Sequence, residues 1–148
     1  MKLSDEVIIP VSRQKVWQAL NDPEVLRQAI PGCEEIVKKS DTEMEARVTV
    51  KMGPVKASFK GAVTLSELNP PHGYRIQGEG KSMMGGAVGG ANVRLEDVPE
   101  GTKLIYDVDA QVTGKIASLA QRFIEPTAKQ LSAQFFDNFA KLAANEPG

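Results

Sequence analysis

The sequence predicts an α+β domain in which a curved antiparallel β-sheet wraps around one long C-terminal α-helix, with two short helices after the first strand. From residue 42 to residue 112, apolar and polar side chains alternate almost without interruption. From residue 115 to residue 144, apolar side chains recur every three or four positions instead. The first pattern is typical of an antiparallel sheet with one face in water, and the second of an amphipathic helix. Because a single helix does not fill the space inside a curved sheet, this layout predicts a cavity.

The N-terminal segment predicts a strand and two short helices. Residues 3–9 form an apolar run that Pro10 ends. Ser12 is placed to cap a helix that continues to Leu20. Asp22-Pro23 predicts the start of a second helix, because a proline at the first helical position lacks only a donor that would be unpaired there. The Pro-Gly pair at 31–32 ends this helix, and a strand is expected over residues 33–39.

The alternating region predicts a series of strands separated by turns. Gly53-Pro54 is a tight hairpin signal between two of the runs. The NPPHG cluster at residues 69–73 and the segment 99–101 indicate two further turns. The runs that these turns separate are residues 43–52, 55–66, 74–79, 93–96 and 104–112.

The glycine-rich stretch at residues 78–90 is predicted to be a mobile loop. Its many glycines carry a large entropic cost of ordering. Met83 and Met84 stand at its centre, and adjacent methionines in a loop tip form adaptable apolar surface. A gate or lipid-contacting flap is therefore one interpretation, and a loop without function is the other. A phosphate-binding loop is excluded, because Arg75 occupies the position of the first required glycine and no helix follows.

Residues 115–144 predict one long helix whose apolar stripe faces the sheet. Pro126 lies inside this pattern and removes one backbone donor, so we expect a bend near residues 122–126. We expect residues 1–144 to form a single domain and residues 145–148 to be a frayed tail. The order of strand, two short helices, strands and terminal helix is that of the helix-grip fold.

Composition and scarce reactive side chains narrow the function. The formal net charge of −1 provides no basic surplus for nucleic acid. No membrane span or signal-peptide core is present, which predicts a soluble cytoplasmic domain. Cys33 and His72 are the only cysteine and histidine, too few for a closed metal site. Cys33 is expected to be a packing residue and His72 a solvated turn residue. No nucleophile–base set is visible, so we expect neither catalysis nor a bound metal.

The predicted interior is almost entirely hydrocarbon and sulfur. The polar groups expected on the buried faces are Tyr106, Thr127 and Gln134. An apolar cavity with a few hydroxyls suits a lipid or a quinone better than a charged metabolite. The residues expected to contact such a ligand or to border its entrance are Ile30, Pro31, Met44, Val48, Phe59, Met83, Met84, Tyr106, Ile116, Phe123, Thr127 and Leu131.

Several segments resemble the CoxG family of carbon monoxide dehydrogenase proteins, over residues 6–139. The wider resemblance is to the START, Bet v 1 and polyketide cyclase (SRPBCC) superfamily, which has the helix-grip fold. The segments that carry it are WQALNDP at 17–23, IPGC at 30–33, GPVKASFKG at 53–61, GEGK at 78–81, GGANVRLED at 89–97 and TAKQLSAQFFDNF at 127–139.

The resemblance implies a non-catalytic accessory protein of an aerobic molybdenum hydroxylase of the carbon monoxide dehydrogenase type. Such a protein would hold a quinone or lipid and help to dock the enzyme at the inner face of the cell membrane or to pass electrons. Relatives often continue into a linker and an apolar tail, whereas this sequence ends at Gly148, so direct anchoring is not implied. The alternatives are an adaptor that binds only protein, and a cyclase or dehydratase enzyme in which Tyr106 is the candidate acid or base.

Overall fold

The computed structural model describes residues 1–145. Seven strands form one sheet in the order β1-β7-β6-β5-β4-β3-β2, and every neighbouring pair is antiparallel. The curved antiparallel sheet, the two short helices and the long C-terminal helix confirm the predicted fold class. In chain order the elements are β1 (Lys2–Ile9), α1 (Arg13–Leu20), α2 (Pro23–Ala29), β2 (Cys33–Lys38), β3 (Glu43–Met52), β4 (Val55–Asn69), β5 (Gly73–Ser82), β6 (Gly85–Val98), β7 (Gly101–Val112), α3 (Lys115–Leu119) and α4 (Gln121–Ala144).

The two short helices join the opposite edges of the sheet, because β1 and β2 are the edge strands and α1 and α2 lie between them in the chain. Ser12 accepts a hydrogen bond from the Lys15 amide (3.4 Å) and caps α1. Asp22 accepts one from the Glu24 amide (3.0 Å), with Pro23 at the start of α2. Both predicted caps are therefore confirmed.

The glycine-rich segment corrects one prediction, because it is not a mobile loop. β5 and β6 remain paired up to Ser82 and Gly85, so only Met83 and Met84 form the turn. Several of the glycines permit close packing. A Cβ at Gly85, whose φ is +131°, would lie only 2.0 Å from the Thr113 carbonyl oxygen. Glycines hid the strand from sequence reasoning because they contribute no side chains to the alternating pattern.

The long helix is interrupted earlier than predicted. α3 ends at Leu119, Ala120 is buried with φ −122°, and α4 then continues through Pro126. Pro126 is exposed and lies in the second turn of α4, where only one backbone bond is lost. The interruption therefore lies where α3 leaves the sheet, and not at residues 122–126. Asn145 closes α4 through its amide bond to the Leu142 carbonyl (3.2 Å), and residues 146–148 of the predicted tail lie outside the described chain.

Two apolar clusters hold the helices against the sheet. In the main cluster, Phe139 and Ala143 of α4 are fully buried with residues of α1, α2 and the strands β4 to β7. The second cluster lies at the hairpin end, where Ile116 and Ala120 pack on β3 and β4. Its buried members are Met52, Val55, Ala57, Ile116 and Ala120.

We expect Phe139→Ala to lower the free energy of unfolding by about 3–5 kcal/mol, because it leaves a cavity in the main cluster. Leu119→Ala is the control, since Leu119 is more than half exposed and its loss should change stability by about 0.5 kcal/mol or less. Urea denaturation of the three proteins measures both effects. Equal destabilisation by the two substitutions would contradict this account of the core.

Candidate functional site

A cavity of about 420 Å³ lies between the concave face of the sheet and α4. We call it the chamber. Its size is within the range of small-molecule sites. No charged side chain lines it, within the part of the chain that the structure describes. The residues around it are Leu20, Leu26, Ile30, Pro31, Ile36, Met44, Ala46, Val48, Val50, Val63, Leu65, Tyr74, Ile76, Ala91, Val93, Leu104, Tyr106, Val108, Leu131, Ser132, Phe135 and Phe136.

Three hydroxyl groups are the polar side chains of the chamber. Tyr74 on β5 is buried, and its ring meets that of Trp17 edge-on, with centroids 5.3 Å apart. Tyr106 on β7 stacks on Phe136 at 5.2 Å. Burial raises the pKa of Tyr74 well above its usual range. Burial also raises the pKa of Tyr106, the charge of Asp5 adds to this, and the Ser132 hydroxyl partly offsets it. Both phenols are therefore neutral hydrogen-bonding groups at physiological pH.

Two clefts flank the N-terminal half of α4 and border the chamber. One, of about 480 Å³, lies towards Pro31 and includes Phe123. The other, of about 640 Å³, lies towards β6 and β7 and includes Phe59. Val50 of β3 and Leu131 of α4 line the chamber and both clefts, so the three spaces meet at these two side chains.

The chamber brings together half of the residues predicted from the sequence to bind a ligand. The predicted polar residue Thr127 lies between the two clefts, and Gln134 lies in the smaller one. Phe59 and Phe123 each line one cleft. The predicted residues in the chamber are Ile30, Pro31, Met44, Val48, Tyr106 and Leu131.

The predicted entrance residues lie elsewhere. Met84 packs into the second apolar cluster beside the buried Ile116, and the Ile116 amide donates to the Met84 carbonyl (2.9 Å). Met83 is fully exposed at the tip of the β5–β6 hairpin. None of the three lines the chamber. Ile30 and Pro31 therefore do not face the methionines across an entrance.

Cys33 and His72 also lie away from the chamber lining. Cys33 is half-buried, its thiol contacts the Glu35 carbonyl at 3.6 Å, and burial raises its pKa. His72 is exposed, and its Nδ1 lies 3.1 Å from Nη1 of Arg13. Both placements agree with the roles expected from the sequence.

Sequence reasoning missed Tyr74 and Ser132 as polar groups of the chamber. Tyr74 lies on the same apolar face of β5 as Ile76, so the alternation that identified Tyr106 could have identified it too. Ser132 and Phe136 each follow a predicted stripe residue of α4 by one position. The stripe that faces the chamber is thus wider than the single row inferred from spacing.

The sequence from residue 6 to residue 144 matches the family model of the carbon monoxide dehydrogenase protein CoxG. The chain belongs to the CoxG family. No match was found among curated proteins. Among residues 1–145 of this CoxG family member, no helix combines the length and the apolar character needed to cross a bilayer.

Solved structures show that this CoxG chain shares the Bet v 1-like helix-grip fold. A conserved protein from Geobacillus kaustophilus is 26% identical, with a TM-score of 0.86, over 97% of this chain and 94% of that one. Ara h 8.0201 is 17% identical, with a TM-score of 0.68 and 99% of each chain covered. The Zhui aromatase/cyclase from Streptomyces sp. R1128 is 16% identical, with a TM-score of 0.67, over 97% and 93% of the two chains. The latter two likenesses concern the fold alone.

The raised pKa values of the two tyrosines predict a loss of stability in alkali. In the unfolded chain tyrosine ionises near pH 10, whereas burial keeps Tyr74 and Tyr106 neutral to higher pH. Their contribution to stability is therefore complete below about pH 10 and is lost as the pH rises towards the folded-state pKa values. We expect the free energy of unfolding to fall in this range, and to fall less steeply in Tyr74→Phe. Phenolate absorbance in the folded protein at about pH 10 would contradict this prediction.

Proposed function

We propose that this CoxG family member is a non-catalytic carrier that holds an apolar molecule, quinone-like or lipid-like, in the chamber. The observation that carries the proposal is the composition of the chamber wall, which is hydrocarbon, aromatic ring and thioether apart from three hydroxyls. Moving a charged metabolite into such a space would cost several kcal/mol or more of hydration free energy, on the order of the cost of burying an unpaired ion. An apolar molecule gains about 25 cal/mol for each Å² of its surface removed from water.

The chamber supports a carrier better than an enzyme of the cyclase or dehydratase type. General acid–base chemistry needs a group whose pKa lies near the working pH. The titratable groups that line the chamber are Tyr74 and Tyr106, and burial moves both pKa values away from neutrality. The name aromatase/cyclase belongs to a neighbour that is 16% identical. A quinone or lipid would be cargo here, and the proposal needs no resident cofactor.

The hairpin end of the molecule supports collection of the ligand at a membrane. Met83 is fully exposed at the tip, and Leu119 of α3 is more than half exposed. Lys81 and Lys115 are exposed next to these elements, and neither forms an ion pair among residues 1–145. Apolar tips flanked by basic side chains suit the anionic inner leaflet. A carrier docked there could receive its ligand directly from the bilayer.

Membership of the CoxG family supports an accessory role beside a molybdenum hydroxylase. We propose that the carrier serves the electron path of such an enzyme and helps to place it at the inner face of the membrane. An adaptor that binds only protein is the alternative to a carrier. The two differ in whether the filled chamber matters for the function.

We expect Ala91→Phe to abolish recovery of apolar ligands, because Ala91 lines the chamber on the central strand β6 and a phenyl ring would occupy it. Ala62→Phe is the matched control, since Ala62 is exposed on the opposite face of the sheet. Each purified protein is mixed with a membrane lipid extract, re-isolated, extracted with solvent and analysed by mass spectrometry. If the wild-type protein yields no apolar molecule, the carrier function is wrong.

The same variant separates a carrier from an adaptor. A carrier with a blocked chamber should still capture a molybdenum hydroxylase of the carbon monoxide dehydrogenase type but should fail to support electron transfer to the membrane. An adaptor would support it undiminished.

We expect Met83→Ser combined with Leu119→Ser to lower the binding of the protein to anionic phospholipid vesicles by about tenfold or more, because two exposed apolar contacts are lost. Leu68→Ser is the control, since Leu68 is exposed near the β4–β5 turn, at the opposite end of these strands from Met83. Vesicle co-sedimentation measures the effect, and binding to uncharged vesicles should be weaker throughout. Equal losses in the two variants would rule out docking by the hairpin end.

A further inference from the structure

The hydroxyl of Tyr74 is a hydrogen-bond donor without a protein partner. Among residues 1–145, its burial is the only influence found on its pKa, with no hydrogen bond acting on it. In the same part of the chain, no side-chain nitrogen or oxygen is fully sealed from solvent without a partner. The Tyr74 hydroxyl is therefore reached from the chamber that its side chain lines. An unpartnered hydroxyl in an apolar space costs about 1–3 kcal/mol until something pairs with it.

The other two hydroxyls of the chamber are already in contact with each other. Ser132 of α4 acts as a hydrogen-bonding partner of Tyr106. The backbone register places Tyr74 opposite Val93, and Val93 opposite Tyr106. Two strand spacings, roughly 10 Å, therefore separate the two tyrosines along one row of the concave face. One end of this row carries the free donor, and the other carries a satisfied pair.

We infer that Tyr74 determines the specificity of the chamber by donating a hydrogen bond to a neutral carbonyl oxygen of the bound molecule, an inference that rests on the proposed function. Trp17 fixes the tyrosine ring through the edge-on contact at 5.3 Å. Because the donor is held in one place, it selects among apolar molecules by the position of their oxygen.

The chamber discriminates against anions for a separate reason. No lysine, arginine or histidine of the described chain lines it, so a carboxylate or phosphate would be buried without a countercharge. The phenol remains neutral because its pKa is raised, and it donates one hydrogen bond without providing positive charge. Ketones and quinones therefore satisfy the chamber, whereas a fatty-acid anion does not.

Three probes that share one ring system test this inference. Acetonaphthone carries a neutral carbonyl, ethylnaphthalene carries no oxygen, and naphthoate carries a charge. The wild-type protein should bind acetonaphthone most tightly and naphthoate most weakly. Tyr74→Phe should weaken acetonaphthone by about tenfold and change ethylnaphthalene by about twofold or less. Tyr106→Phe is the matched control, and it should affect acetonaphthone less than Tyr74→Phe does, because Tyr106 already contacts Ser132.

The infrared carbonyl band of bound acetonaphthone provides a readout that needs only the wild-type protein. A donated hydrogen bond lowers the stretching frequency, and the band should return to its apolar-solvent position in Tyr74→Phe. An unshifted band in the wild-type protein would overturn the role of Tyr74. The substitution removes an unpaired hydroxyl, so the melting temperature should not fall.

The remaining outcomes separate the inference from the carrier function. Equal binding of acetonaphthone by the wild-type protein and Tyr74→Phe would overturn the inference and leave the carrier intact. Naphthoate bound as tightly as acetonaphthone would overturn the selection of neutral ligands. Failure of all three probes to bind the wild-type protein would overturn both proposals.

Discussion

The chamber exists because α4 is attached near its two ends and not along its middle. Towards its C-terminus, Phe139 and Ala143 are buried in the main cluster, and the Asn138 amide donates to the Ala29 carbonyl of α2 (3.2 Å). Before its N-terminus, α3 is fixed on the β5–β6 hairpin through the Ile116 amide. The turns between face the sheet across open space that only ligand or solvent can fill. A helix that sank onto the sheet would lose one of these attachments.

The shape of the sheet follows from the same requirement. Long strands such as β4 and β6 must curve so that the concave face surrounds the helix without touching it. Small residues make this curvature compatible with close pairing. A Cβ at Gly89 would lie 2.8 Å from the Asp109 carbonyl oxygen, and one at Gly61 would lie 2.7 Å from the Glu79 carbonyl oxygen. The glycines of the central strands are thus part of the wall of the chamber and do not indicate looseness.

Sequence reasoning recovered the architecture because periodicity reports which face of an element is buried. It recovered both short helices from their caps, and half of the predicted ligand contacts from the alternating face. It failed where the informative quantity was an absence or a distance. Glycines carry no periodic signal, so the paired ends of β5 and β6 have the sequence pattern of a loop. The separate fates of Met83 and Met84, one exposed and one packed, depend on the turn between those strands. That Tyr74 lacks a partner is a property of three-dimensional surroundings and has no counterpart in the sequence.

The division of the apolar core into two clusters has a consequence for motion. The second cluster is small, and it shares no buried residue with the main one. The free energy needed to lift α3 and the first turns of α4 is therefore set by the small cluster alone, and regions of a protein open independently when their contacts are separate. Amide protons in α3 should exchange with solvent by a local fluctuation, while those in the C-terminal half of α4 should wait for global unfolding. The fold thus separates the part that keeps the domain together from the part that admits cargo.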